Sequence, residues 1–107
     1  MNKTEERIKE IVRHLASEFF ARESSGKSLI TVTHVDMHSK SSNIKILFSV
    51  FPASEEANAL EFINRRLSDF REYVKKHSKL MRLPFFDAEI DVGEKNRQRI
   101  DEIEKTV

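Results

Sequence analysis

Cysteine and tryptophan are absent from this 107-residue chain, and it has two glycines and two prolines. Without cysteine there is no disulfide framework, no thiolate metal site and no cysteine nucleophile. So few turn residues exclude a sandwich of many short strands. An excess of one charge is also missing. Charged residues make up 35% of the chain, but 19 Lys and Arg stand against 18 Asp and Glu, a net of +1. Bulk electrostatics therefore singles out no partner. No apolar run approaches the ~20 residues of a membrane span, and the first residues carry no apolar signal core. A cytoplasmic setting is expected, and the length fits one domain over residues 1–107 with one core.

The most ordered pattern in what remains runs from Pro52 to Ile90. Ser54 is placed to cap a helix, with Glu55 and Glu56 in its first turn where the dipole favours negative charge. Leu60, Ile63, Leu67, Phe70, Val74 and Met81 recur at helical intervals and draw one apolar stripe. Lys79 and Arg82 fall in the expected last turn, and Pro84 ends the helix. Phe86, Ala88, Ile90 and Val92 then alternate against Asp87, Glu89 and Asp91, which is strand periodicity.

Upstream, Ile8, Ile11, Val12, Leu15, Phe19 and Phe20 form the buried face of a helix over residues 4–22, with Asn2 and Glu5 spaced as a weak capping box. Its outer face mixes both charges, and residues 23–27 form a loop. Leu29 to Met37 is rich in Ile, Val and Thr, which suit a pleated surface. A polar turn over 38–43 leads to Ile44–Phe51, with Ile44, Ile46, Phe48 and Val50 on one side. So short a connection predicts an antiparallel hairpin. The second strand, long helix and third strand form a crossover, right-handed if the outer strands run parallel. Gly93 breaks the third strand, and residues 94–107 read as a charged C-terminal helix or tail anchored by Ile100 and Ile103. The order α-β-β-α-β, plus that short helix, predicts an α+β fold with helices on one face of a three-stranded sheet.

Charge is unevenly spread. Between residues 65 and 82, seven basic residues (Arg65, Arg66, Arg71, Lys75, Lys76, Lys79 and Arg82) face Asp69 and Glu72, a local net of +5. From Leu83 onward four basic residues face seven acidic ones, a net of −3. At about 100° per residue, Arg71, Lys75, Lys79 and Arg82 fall on one stripe, rising by ~4.5–6 Å per member. That rise is close to the phosphate spacing of a nucleic-acid strand, and such a row releases counterions on binding. A solvated face whose charges complement the helix dipole accounts for the same pattern. Phe62 and Tyr73 lie off the main stripe. Aromatics beside a basic row can stack bases, but here widening of the core face is the better reading.

Catalytic and metal chemistry find little support. His34 and His38 would suit a metal on a helix, but four strand residues span ~13 Å, and His14 and His77 look isolated. The alternating carboxylates of Asp87, Glu89 and Asp91 fit the outer face of a strand. No glycine-flanked serine and no glycine-rich phosphate loop is present. An enzyme, a metal, a cofactor and a small-molecule substrate are all unexpected.

The residues resemble the ribosome-binding factor A family of bacterial small-subunit assembly factors. Leu29-Ile30-Thr31-Val32-Thr33-His34-Val35-Asp36-Met37 looks like its first strand, and Asn43 to Val50 like its second. Ile63-Asn64-Arg65-Arg66, Phe70-Arg71 and Leu80-Met81-Arg82-Leu83-Pro84 follow its long helix and terminating proline. Asp91, followed by Arg99-Ile100-Asp101-Glu102-Ile103, matches its acidic C-terminal signature, with Arg97 in place of the usual glycine. The family bends its long helix at an Ala-x-Gly. Here that place is Leu67-Ser68-Asp69, and without glycine a straighter helix is expected. The resemblance implies a type II KH-like domain that binds the immature small subunit and its rRNA transiently, as a monomer, without catalysis or cofactor. The seven basic residues are then the candidate RNA-facing set. A protein-interaction module working through the sheet or the acidic tail, and a general single-stranded RNA-binding KH-like domain, are the alternatives.

Overall fold

The computed structural model describes residues 3–23, 26–37, 43–80 and 83–93. Helix α1 spans Lys3–Glu23, strand β1 Leu29–Met37, strand β2 Asn43–Phe51, a short 3-10 turn Ala53–Glu55, helix α2 Glu56–His77 and strand β3 Phe85–Ile90. The expected helix or tail over 94–107, the polar turn over 38–42, Met81 and Arg82 lie outside the described residues.

The sheet has the order β1-β2-β3. β1 and β2 pair antiparallel, from Leu29 opposite Phe51 to Met37 opposite Ile44. β2 and β3 pair parallel, from Asn43 beside Phe85 to Phe48 beside Ile90. The hairpin and the crossover are thus both present, and β2 is central. Ile44, Ile46, Phe48 and Val50 on its inner side are all buried, because both helices cover that side of the sheet.

Aromatic rings join the two layers. Phe20 meets Phe48 of β2 edge to face at 5.3 Å, and Phe70 lies 5.5 Å from Phe20 and 4.9 Å from Phe86 of β3. Phe20, Phe48 and Phe70 are fully buried, each contributing about 1.5–3 kcal/mol by leaving water. Phe62 and Tyr73 are half-buried against this core, which is the role expected of them.

Three local details differ from expectation, each for a visible reason. In β1 the register slips between Val32 and His34, so Thr33 is an extra, bulged residue. The bulge puts Ile30 and Val32, then Val35 and Met37, on the core side. Ser54 does not cap α2. It lies in the 3-10 turn, Glu55 takes the N-cap position without a side-chain bond, and Glu55 N–H donates to the Pro52 carbonyl at 3.0 Å. Finally, α2 stops at His77, well before Pro84, with Ser78 already extended. His77 Nδ1 donates to the Tyr73 carbonyl at 2.9 Å and Ser78 Oγ to the Val74 carbonyl at 2.7 Å. The Ser78 hydroxyl thus takes the carbonyl that its own N–H would have used in a further turn, and the His77 ring adds a second bond to the carbonyl one place before it, which is how such side chains compete with helix.

The third strand also ends early. Val92 lies beyond it and is exposed, so it is not part of the core face. Asp91 closes the last rung of the β2–β3 ladder. Its N–H donates to the Phe48 carbonyl at 2.8 Å, and its carboxylate accepts the Thr33 hydroxyl at 2.6 Å. That hydroxyl also lies 3.2 Å from the Leu47 carbonyl. The bulge and the end of β3 are tied together across the central strand.

Candidate functional site

The described candidate cations do not fall on one helical stripe. Because α2 ends at His77, Lys79 follows the helix and helical phasing no longer places it over Lys75. Arg82 lies outside the described residues. Arg71 and Lys75 remain one turn apart on the flank of α2 nearest β3. Arg65 and Lys76, eleven residues apart, align with each other but sit roughly 100° further round the helix.

Their engagement differs too. Arg71 is half-buried, and its Nε and Nη2 donate to the carbonyls of Pro84 and Leu83 at 3.2 and 3.3 Å. Its guanidinium carbon lies 4.8 Å from the Phe85 ring centroid. Arg71 therefore holds the approach to β3, with little left over for a distant ligand. Arg66 bonds Asp69 at 3.0 Å and lies 5.9 Å from the Phe62 ring centroid. By contrast Arg65, Lys75, Lys76 and Lys79 are exposed, and none has a carboxylate partner among the described residues. Lys75 and Lys76 stand in the last turn of α2, where the dipole stabilises cations.

Leu67, Ser68 and Asp69 lie inside an uninterrupted α2. Leu67 packs on the core, and the Asp69 carboxylate is occupied by Arg66. Upstream, Arg65 and Lys27 rim a cleft of ≈ 320 Å³ between the start of β1 and the first half of α2, floored by Ile30 and Phe62. Glu55 and Glu61 line it too, so its charge is mixed.

The outer sheet face is organised differently. Asp36 of β1, Lys45 of β2 and Asp87 of β3 occupy one row, and His34, Leu47 and Glu89 the next. His34 Nε2 lies 2.8 Å from Asp36 and Lys45 Nζ lies 3.2 Å from Glu89. Of the β3 carboxylates, Glu89 is thus paired, and Asp87 lies beside Lys45 in the neighbouring row. Leu29 and Phe51, directly opposite each other at one end of this face, are each 66% exposed.

His14 and His77, far apart in sequence, line the same groove between α1 and α2 with Ile11 and Leu15. His14 Nε2 lies 3.1 Å from Glu18, whose other oxygen accepts the Tyr73 hydroxyl at 3.2 Å. They are packing neighbours of a polar contact between helices, not isolated residues. No group of three or more metal-ligating side chains occurs among the described residues. Nor is any described helix long and apolar enough to cross a membrane.

The protein-family model described as ribosome-binding factor A matches residues 1–104. A crystal structure of ribosome-binding factor A from Thermus thermophilus superimposes with a TM-score of 0.70 at 18% identity, covering 78% of this chain and 91% of that one. A solution structure of a Thermotoga maritima protein described as a candidate ribosome binding factor A gives 0.67 at 18% identity, covering 81% and 86%. At such identity the likeness is one of fold, the KH-like α-β-β-α-β arrangement. The sequence has no significant match among curated proteins. The match of a single family model along nearly the whole chain decides the matter, and the chain belongs to the ribosome-binding factor A family.

Proposed function

We propose that this protein is a non-catalytic assembly factor that binds the immature small ribosomal subunit through its rRNA. The contact surface is the cationic C-terminal end of α2 and the segment that follows it. One observation carries the reading: on a scaffold of this family, Lys75, Lys76 and Lys79 are exposed cations without carboxylate partners among the described residues. Cations already bonded to carboxylates must give up that pairing to meet a phosphate. These three need only shed water and counterions. Arg65 adds a further free charge on α2, while Arg71 is taken up by the Leu83 and Pro84 carbonyls and Arg66 by Asp69. The protein acts in the cytoplasm as a monomer and needs no cofactor. Phosphate contacts give affinity and register with little base specificity.

Co-sedimentation with isolated small subunits, large subunits and joined ribosomes across a salt series tests this reading. Selective binding to free small subunits that weakens steeply with salt is the expected result. Equal binding to every particle would reduce the claim to nonspecific RNA affinity. A second reading, a protein-interaction module, is favoured by the exposed Leu29–Phe51 pair on the outer sheet face. It predicts binding nearly independent of salt.

A further inference from the structure

The aromatic ring that stands exposed beside the α2 cations is Phe85, not Phe62 or Tyr73. It opens β3, an edge strand, and is 60% exposed. It is also braced. Arg71 is fixed by its bonds to the Leu83 and Pro84 carbonyls, and its guanidinium carbon sits 4.8 Å from the ring centroid. Cation–π contact of this kind orients both partners. Lys75, one helical turn beyond Arg71, extends the same flank with a free charge.

We propose that Phe85 is a stacking platform for an unpaired base of the bound RNA. The inference rests on the nucleic-acid reading of this surface and makes it more specific. A held ring with a free cation on the same flank is what single-stranded RNA recognition uses: the ring takes a base face and Lys75 takes a neighbouring phosphate. A duplex keeps its base faces stacked, so the platform selects an unpaired nucleotide. The surroundings also set the path of the strand. Phe85 shares the outward parity of β3 with Asp87 and Glu89, and in the two rows beyond it Asp36, Asp87 and Glu89 outnumber Lys45. Phosphates are repelled there and directed along the flank of α2.

The test compares the protein with Phe85→Leu, Phe85→Trp and Lys75→Glu for binding to purified small subunits over a salt series. Ultraviolet crosslinking of the bound complexes is mapped to residues by mass spectrometry. Phe85→Leu keeps apolar bulk at an exposed position and removes the π face. It is expected to weaken binding roughly fivefold to a hundredfold, the worth of one stacked base, without changing the salt slope. Phe85→Trp is expected to restore binding, and Phe85 to carry the crosslink to a base. Wild-type affinity for Phe85→Leu, with Lys75→Glu impaired, would overturn the platform and leave the RNA reading standing. Absence of salt-dependent binding by the unaltered protein would overturn both.

Discussion

The outer sheet face and the C-terminal end of α2 both carry several charges, yet they are built to opposite plans. On the sheet, β-pairing sets unlike charges side by side: Asp36 faces Lys45, Lys45 neighbours Asp87, and Lys45 reaches Glu89 at 3.2 Å. At the helix end Lys75 and Lys76 stand exposed, with no carboxylate partner among the described residues. Exposed ion pairs contribute little stability, about 0–1 kcal/mol, but they do decide whether a cation is available. The presence of lysine marks no surface by itself. The lack of a local counter-charge does.

The largest effect comes from removing what supports both regions. Phe70 joins α2 to Phe20 and Phe86, and Phe70→Ala is expected to cost about 3–5 kcal/mol, read as a fall in the denaturant midpoint. Both surfaces should be lost together. Next, the double reversal Lys75→Glu with Lys76→Glu is expected to leave the melting temperature within a few degrees of the parent. It should lower the magnitude of the log affinity–log salt slope for small subunits by about 2, one for each phosphate left without its lysine. An unchanged slope would move the interface elsewhere.

A smaller effect isolates the sheet. Thr33→Val removes the hydroxyl that binds Asp91 at 2.6 Å and should cost about 1–2 kcal/mol, near the low end for a half-exposed bond to a charged group. Hydrogen exchange should quicken at the end of β3, with RNA binding little altered. The smallest effect lies on α1. The Arg13 guanidinium, by hydrogen bonding and by its charge, holds the Glu10 carboxyl below the usual carboxylate range. A lowered folded-state value stabilises above the unfolded value, and the gain is lost as pH falls through the folded one. Since both groups are fully exposed, Glu10→Gln should barely shift the melting temperature at neutral pH. Even that difference should vanish in acid.

Much of the fold was legible because core-facing residues follow the two backbone periods. Ile44, Ile46, Phe48 and Val50 alternate, and Ile63, Phe70 and Val74 keep helical spacing, so strand, helix and buried side could all be assigned. The misses lie where side chains act on backbone. Pro84 is a visible stop, but the earlier one comes from His77 and Ser78 binding carbonyls of the preceding turn, and neither residue forbids helix. The bulge left a trace in the sequence, since apolar residues at 30, 32, 35 and 37 change parity at Thr33. In the candidate site, the row of Arg71, Lys75, Lys79 and Arg82 assumed a helix that continues, and residue type could not separate Arg71, bound to carbonyls, from Lys75, which has no carboxylate beside it. Phe85 was hidden for a related reason. Its neighbour Phe86 is the buried one, and only the start and parity of β3 tell them apart.

The central claim is that availability of charge, not its amount, places the RNA contact at the end of α2. The most direct measurement is a paired salt titration of small-subunit binding, with Lys75→Glu/Lys76→Glu against Lys45→Glu on the sheet. The account predicts a shallower slope and weaker binding for the helix variant, with the sheet variant matching the parent. The reverse pattern, a sheet variant that loses binding and a helix variant that keeps it, would contradict it.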